Sequence, residues 1–594
     1  MCGIFALLNY EKKYQIEFIY SQFKKGKYRG PENSQLCKVS QKLLFGFHRL
    51  AINGLNNNSS QPLIKGDIYL ICNGEIYNYK ELYKMMSEHT NELVVPNTQS
   101  DCEVIIWLYE KYGMEQCLQM LDGVFSFVLL DQRPRIGEPI LYIARDPYGV
   151  RPLYSIHQQN NSFDNELTIG FASELKVLAQ FVVDKPDITY STNHFLPGTF
   201  STYTYSDQVC SEWKPLVLNT PYHRVAFSNM MGSPIPTEKD RENIVKGIQT
   251  YLIAAVEKRC STTERPIACL LSGGLDSSLI TALVSEYHKK HGLPTVETYS
   301  IGLEQSVDLK YAKMVADHLG TKHTEIILTE KQFFDAIPKV IKSIESYDTT
   351  TVRASIGNYL LGEYISKHSK AKVIFNGDGS DELLGGYLYM KNAPNTIEFD
   401  KECRRLLKDI HAFDVLRSDK SISSHGLEPR TPFLDRSWTQ YYLSLSPYIR
   451  ELPGEMEKYW LRYAFSKSQF SPHSTLSSLL PDEVLWRKKE AFSDGVSGEQ
   501  RSLYEILQEY CSIAVPLDGY KSYEERTKHQ ERMHKVFTNV PKTAEQYYYR
   551  YIFETFYSGL GHVVPYFWMP KYVDATDASA RTLSSYRNGM KSHS

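Results

Sequence analysis

Hydrophobic spacing divides the chain into two parts. Up to about residue 205 the apolar positions come in short runs, at 3–8, 42–47, 68–72, 125–130, 140–144 and 168–172. Asn-Gly and Asp-Gly turns punctuate these runs, the pattern of short antiparallel strands in a sandwich. Between 206 and 236 the chain is rich in Ser, Pro, Asn and Tyr and shows no clear period, which reads as a linker. Helical spacing then starts after 239, with Ile244, Ile248, Leu252 and Ala255 on one face. Strand-like and helical stretches alternate from there on. Residues 266–271 precede a helix from 277, 295–303 precede 308–320, 323–328 precede a helix near 331, and a helix over 355–368 precedes 372–375. Such alternation predicts a mainly parallel, doubly wound sheet, with ligands bound at the carboxyl ends of its strands. The expected division is a first domain over 2–205, a linker over 206–238, a second domain over 239–570 and a tail over 571–594.

Composition narrows the class. A chain of 594 residues is too long for one core. With 42% hydrophobic and 23% charged residues it is not disordered. A net charge of -2 makes no electrostatic case for nucleic acid or a membrane surface as partner. The ten cysteines are scattered, without C-x-x-C or zinc-ligand spacing. His529 and His534, five apart, do not share a helix face and read as surface residues. Neither a signal peptide nor an apolar run of membrane length is present, so a soluble, reduced, cytosolic protein is expected.

The densest local chemistry is Leu270-Leu271-Ser272-Gly273-Gly274-Leu275-Asp276-Ser277-Ser278. An apolar strand runs into paired glycines, then hydroxyls and an acid, then an amphipathic helix. Glycines let the backbone turn tightly against a ligand, and the free N–H groups at the helix start attract an anion. The lysine of a Walker A loop is missing. Ser-Gly-Gly-x-Asp-Ser-Ser resembles the pyrophosphate loop of the N-type ATP pyrophosphatases, which split ATP into AMP and pyrophosphate. A second glycine loop, Asn376-Gly377-Asp378-Gly379-Ser380-Asp381, follows another apolar strand. Two acid-bearing loops at neighbouring strand ends suit Mg2+ and ATP, the carboxylates holding a hard cation.

The chain opens Met1-Cys2-Gly3, so removal of the initiator would leave Cys2 with its thiol beside an α-amino group of pKa near ~8. Arg49-Leu50-Ala51-Ile52-Asn53, Asn73-Gly74-Glu75 and Ser100-Asp101 follow in the same half, with Arg145-Asp146-Pro147-Tyr148-Gly149 further on. Together these stretches resemble a class II glutamine amidotransferase domain with the N-terminal-nucleophile fold. The resemblance implies that Cys2 attacks the glutamine amide and that Asn73 and Gly74 form the oxyanion hole. It implies that Arg49 grips the glutamine α-carboxylate, with Glu75 and Asp101 on the α-amino group and Leu50, Ala51, Ile52 and Asn53 completing the pocket.

Further stretches extend the likeness to nearly the whole chain. They include Tyr299-Ser300-Ile301-Gly302-Leu303, Tyr347-Asp348-Thr349-Thr350, Leu427-Glu428-Pro429-Arg430, Trp486-Arg487-Lys488-Lys489-Glu490 through Val496, Trp568-Met569-Pro570 and Asp577 through Arg581. The whole resembles the glutamine-dependent asparagine synthetase family. That resemblance implies glutamine, aspartate and ATP as substrates, Mg2+ as cofactor and β-aspartyl-AMP as intermediate. It places Leu270, Ile301, Asn376 and Gly377 around the nucleotide, and Ser272, Gly273, Gly274, Asp276, Ser277 and Ser278 around pyrophosphate. Asp276 and Asp381 would hold the metal and Lys489 would neutralise phosphate charge. Family members are often dimers, and ammonia would travel between the two sites by a dry passage.

One position departs from the pattern. The family usually reads Ser-Gly-Glu-Gly-Ser-Asp where this chain has Asn376-Gly377-Asp378-Gly379-Ser380-Asp381. Asp378 is one methylene shorter than the glutamate linked to acyl-adenylate formation. Three outcomes stand open: the backbone compensates, turnover is slower, or Asp414 shares the role. Two other functions also stand open, another amide-forming synthetase of the superfamily and a catalytically weakened regulatory paralogue.

Overall fold

The computed structural model describes residues 1–90, 93–134, 137–159, 167–183, 189–206, 211–225, 236–451, 456–473, 476–490, 495–497, 501–534, 539–575 and 577–579. It forms two compact units. The first comprises Met1–Arg224 with Thr262–Arg265 and Ser423–Glu428; the second comprises Val225–Ser261, Pro266–Ile422 and Pro429–Ser594.

Two six-stranded antiparallel sheets make the first unit. One runs in the order Tyr190–His194, Tyr154–Gln158, Ile169–Ala172, Gly3–Leu8, Leu43–Arg49, Asn33–Ser40. The other runs Glu212–Pro221, Thr199–Ser206, Ile140–Arg145, Gly123–Asp131, Ile68–Ile76, Leu63–Lys65. Side-chain alternation sends Ile71, Val128 and Leu130 inward against Ile4, Ala6 and Phe45 of the facing sheet. It sends Leu70, Cys72, Phe127 and Leu129 outward, where Ile105, Leu108 and Leu118 of the helical stretch Val104–Met120 cover them. On the far face of the first sheet Phe5 meets Phe23 and Phe181, from the helices Ile16–Phe23 and Leu175–Val183. Helices on both outer faces bury both sides of each central strand. That is why these strands read as continuous apolar runs instead of alternating ones.

The expected linker is corrected in part. Glu212–Pro221 is a ten-residue strand paired with Thr199–Ser206. It lies at a sheet edge, and Leu216, Val217 and Leu218 are all exposed, so no buried stripe marks it in the sequence. Residues 207–210 and 226–235 lie outside the described residues.

In the second unit the strands Lys322–Leu328, Glu297–Leu303, Ile267–Leu270 and Val373–Phe375 lie side by side in that order, and every one of these pairs is parallel. The short strand Glu428–Arg430 is at the far edge. Cys269 is level with Phe375, and Leu270 is level with Tyr299. The chain therefore leaves two neighbouring strands at the same height, and the two glycine loops emerge next to each other. Arg353, buried on the helix Thr349–His368, donates to Glu545 Oε1 at 2.7 Å and to Asp577 Oδ1 at 2.7 Å. Asp577, expected in a tail, is thus fastened to the body of this unit; 576 and 580–594 lie outside the described residues.

Candidate active sites

Cys2 precedes the strand Gly3–Leu8, and the pairing of Gly3 with His48 carries Cys2 to the level of Arg49. Its Sγ donates to the carbonyl of Leu50 at 3.5 Å, and its own carbonyl accepts from Arg29 Nε at 2.8 Å. Burial pushes the Cys2 thiol up to about 11. Met1 is buried, its amino group donating to Leu427 O at 3.0 Å. Burial lowers that amino group to about 5. In this form the Cys2 nitrogen is an amide, and the thiol stays protonated near neutral pH.

Asn73 and Gly74 lie on Ile68–Ile76, between Gly123–Asp131 and the short edge strand Leu63–Lys65 of the second sheet. Asn73 Nδ2 donates to Ser173 Oγ at 3.4 Å, and the backbone N–H of Ile4 donates to the same oxygen at 3.1 Å. Ser173 thereby ties the expected oxyanion residue to the strand that carries Cys2. A side chain at Gly74 would put Cβ 2.5 Å from the carbonyl oxygen of Val124, so the strand approach itself requires glycine. Glu75 and Asp101 are both buried. Glu75 Oε2 accepts from Asn53 Nδ2 at 2.7 Å, and Asp101 Oδ2 accepts from the N–H of Ile76 at 2.7 Å.

Arg49 is engaged by its own loop, donating to the carbonyls of Asn56 at 2.8 Å and Gly54 at 2.5 Å and to Ser60 Oγ at 3.1 Å. Glu32, Glu264 and Arg265 brace the segment Ala51–Gly54. Ala51 N–H donates to Glu32, Glu264 N–H donates to the Ile52 carbonyl, and Arg265 Nε donates to the Ala51 carbonyl, at 2.8, 3.0 and 2.8 Å.

In the second unit, Ser272-Gly273-Gly274 turns from the strand Ile267–Leu270 into the helix Leu275–Lys290. Gly273 has φ +74°, and a Cβ there would sit 2.4 Å from the backbone N of Ala312. Ser272 and Ser277 hydroxyls lie 2.9 Å apart across the turn. One cavity gathers Leu270, Ser272, Gly274, Asp276, Ser277, Ile301, Asn376, Gly377, Asp378, Asp381, Asp414 and Lys489. Gly273 and Ser278 are not among its lining residues; Ser278 Oγ is buried behind the loop without a hydrogen-bond partner. The loops touch directly, since Ser380 Oγ donates to Asp276 Oδ1 at 2.7 Å.

Charge in this cavity is organised in two groups. Lys458 Nζ lies 2.7 Å from both Asp276 oxygens and 2.5 Å from Asp381 Oδ1. Lys489 Nζ lies 2.6 Å from Asp381 Oδ2 and 3.9 Å from Asp276 Oδ2. Burial works to raise the Asp381 carboxyl, and the two ammonium groups outweigh it and hold it well below the usual range. Burial likewise works against the Lys489 ammonium, and Asp381 and Asp276 hold it charged. In the second group Arg417 bridges two acids, reaching Asp378 Oδ1 at 3.0 Å and Asp414 Oδ1 at 2.9 Å. Asp378 Oδ2 is buried with no hydrogen-bond partner. Beside them Glu382 is pushed well above its ordinary range, by burial and then by the charges of Asp414 and Asp381, and it accepts from the Tyr387 hydroxyl.

Asp276 and Asp381 fit a divalent cation. They share a cationic bridge already, and Mg2+ is usually held by one or two carboxylates together with substrate phosphates. Among the described residues no group of three or more His, Cys, Asp or Glu could hold a metal by itself.

The asparagine synthase family matches residues 247–398 and 391–559, and the glutamine amidotransferase domain family matches 1–204. Asparagine synthetase (glutamine-hydrolyzing) from Gallus gallus is 38% identical over 606 residues, covering 100% of both chains. The enzymes of that name from Homo sapiens and Bos taurus are each 37% identical over 608 residues, again covering 100% of both chains. The chain belongs to the glutamine-hydrolysing asparagine synthetase family.

Against that family pattern, Lys458 and Arg417 are among the cavity residues that sequence reasoning missed. Lys458 lies in an undistinguished stretch, 182 residues from Asp276, and only folding brings them together. Arg417 follows Asp414 by three residues on one helix, a spacing that could have suggested the pair. Of the motif that starts at Trp486 in this family member, 491–494 lie outside the described residues.

Proposed function

We infer that this chain makes asparagine, taking nitrogen from glutamine and activating aspartate with ATP. The observation that carries this reading is the single cavity in which the Ser272–Ser278 loop meets the Asn376–Asp381 loop, with Asp276 and Asp381 facing two lysines and Asp378 facing the same space. ATP cleaved at its α-phosphate would leave pyrophosphate against the first loop, where Lys458 and Lys489 balance its charge.

For the first half-reaction, removal of Met1 frees the Cys2 α-amino group. That amine takes the thiol proton, and the thiolate attacks the glutamine carboxamide. The tetrahedral oxyanion is stabilised by the Asn73 amide and the Gly74 N–H. Ammonia leaves, and water releases glutamate from the thioester. Arg49 turns from its loop carbonyls to the glutamine carboxylate, and Glu75 and Asp101 receive the α-amino group.

For the second, a carboxylate cannot lose oxide to ammonia, so adenylation of the aspartate β-carboxylate supplies a leaving group. Asp276 and Asp381 would hold Mg2+, which when bound neutralises phosphate charge. Asp378, its Oδ1 fixed by Arg417, offers Oδ2 to the proton of the attacking ammonia. Arg417 holds Asp414 at the same time, so the shorter acid is placed by an arginine bridge. Asparagine and AMP result. Nine described cysteines are free, which supports a reduced, cytosolic setting, and among the described residues no helix is long and apolar enough to cross a membrane. A homodimer is proposed by likeness to the family, and sedimentation velocity checks it.

The test is aspartate-dependent pyrophosphate release with ammonium as nitrogen source. Release at a rate that saturates with aspartate is expected. Pyrophosphate release indifferent to aspartate overturns the reading.

A further inference from the structure

Arg487 stands in a run of three basic residues, Arg487-Lys488-Lys489, that by itself looks like a solvated surface. It is instead among the most constrained cations of the second unit. Its side chain is 9% exposed. Nη1 donates to the carbonyl of Gly273 at 3.0 Å. Nη2 donates to Asp308 Oδ1 at 2.8 Å and to Glu490 Oε2 at 3.4 Å. The guanidinium plane rests over the Tyr311 ring, 4.1 Å from its centroid. Asp308 and Tyr311 belong to the first turns of the helix Val307–Leu319, on which the back of the Gly273 turn packs. Asp308 is enclosed from the other side by Gly495, where a Cβ would lie 2.2 Å from its carboxylate. The guanidinium therefore bridges the loop and the helix that backs it.

This has a directional consequence. In a trans peptide the carbonyl and the N–H point opposite ways. Holding the Gly273 carbonyl toward Arg487 turns the N–H of Gly274 away from it. Gly274, Arg487 and Asp308 line the cavity and Gly273 does not, and the Gly274 N–H donates to Ser272 Oγ, itself a lining residue, at 3.4 Å. A glycine pair with one positive φ is free to flip this peptide, and a flipped peptide would present a carbonyl to an anion.

We propose that Arg487, clamped by Asp308 and Tyr311, is a positioning residue that fixes the Gly273–Gly274 peptide with its N–H toward the pyrophosphate of the nucleotide. The role acts through the loop, and it rests on the reading of this cavity as the ATP-cleaving site. Lysine cannot replace it. A lysine ammonium is a point charge that reaches one acceptor well, whereas the planar fork reaches Gly273 and Asp308 together and stacks on the ring.

The experiment compares the full chain with Arg487→Lys, Asp308→Asn, their double variant and Tyr311→Leu, using ammonium, aspartate and ATP-Mg. Arg487→Lys is expected to raise KM for ATP and the inhibition constant of added inorganic pyrophosphate together, by about ten- to a hundredfold, with KM for aspartate within about twofold. Asp308→Asn moves the same two constants, and the double variant adds nothing beyond the worse single one, because both act through one clamp. Tyr311→Leu, which removes only the ring, shifts them in the same direction by less, and it serves as the test if Arg487→Lys does not fold. Equal shifts in the ATP and aspartate constants, or additive effects in the double variant, overturn the proposal. An unmoved pyrophosphate inhibition constant overturns it too. Absence of aspartate-dependent pyrophosphate release from the parent chain overturns the functional reading beneath it, a separate result.

Discussion

Replacing Gly377 by alanine pushes the two glycine loops apart. A Cβ at Gly377 would lie 2.8 Å from the backbone N of Ser277 and 2.9 Å from both the carbonyl carbon and Cβ of Asp276. Carbon contacts are comfortable near ~3.5 Å, so the loops must separate by about 0.6 Å or more. Two of the three clashing atoms are backbone, and no rotamer relieves them. Overpacking of this kind costs about 1–3 kcal/mol. The displacement falls on Asp276, one end of the carboxylate pair bridged by Lys458 and Lys489. A misplacement near 1 Å at a reacting centre lowers rates by up to about a hundredfold. The assay is aspartate-dependent pyrophosphate release with ammonium in place of glutamine, read beside glutamine hydrolysis by the same preparation. Pyrophosphate release is expected to fall about ten- to a hundredfold while glutamate release stays within about twofold. A Gly377→Ala protein with the parent's kcat and KM for ATP would refute the claim that the two loops form one site.

Cys2→Ala should abolish glutamine use and leave ammonia-dependent synthesis, measured as asparagine from glutamine against asparagine from ammonium; loss of both would contradict separate sites. Asp378→Glu should hold or raise the synthetase rate, and a collapse would show that the Arg417 bridge is fitted to the shorter acid. Lys458→Ala should cost far more than a surface lysine, because it leaves Lys489 alone to balance the buried Asp276 and Asp381 carboxylates; the readout is KM for ATP and the thermal midpoint. Asp348, the buried N-cap of the helix Thr349–His368, has its carboxyl pushed up to about 6 by burial. The folded chain therefore binds this proton before the unfolded chain does, and stability from this group rises as pH falls from 7 toward 5. Denaturation at both pH values should show Asp348→Asn costing more at pH 5 than at pH 7, and an equal cost would count against the shift.

Both glycine loops were legible because their chemistry is local: strand, turn and helix start follow within nine residues of chain. The parallel sheet followed from the alternation of elements, and its register explains why the loops are neighbours. In the first unit the central strands were legible and the edges were not. Asn33–Ser40 and Glu212–Pro221 are largely exposed, so hydrophobic spacing had nothing to report there. The cations were the least legible part. Lys458 and Arg487 take their meaning from Asp276 and Asp308, which lie 182 and 179 residues away, a pairing that no local spacing reports. Arg49, expected to grip the glutamine α-carboxylate, donates to its own loop carbonyls in this structure. A guanidinium among carbonyls satisfies its donors within the loop.

The central claim is that nitrogen removed from glutamine by Cys2 ends on an aspartate activated in the Asp276–Asp381 cavity. Glutamine labelled with heavy nitrogen at its side-chain amide, supplied with aspartate and ATP-Mg, tests it most directly. The account predicts that the label appears in the asparagine side chain, with one AMP and one pyrophosphate formed for each asparagine. Glutamate and labelled ammonium without labelled asparagine, or ADP and phosphate in place of AMP and pyrophosphate, would contradict it.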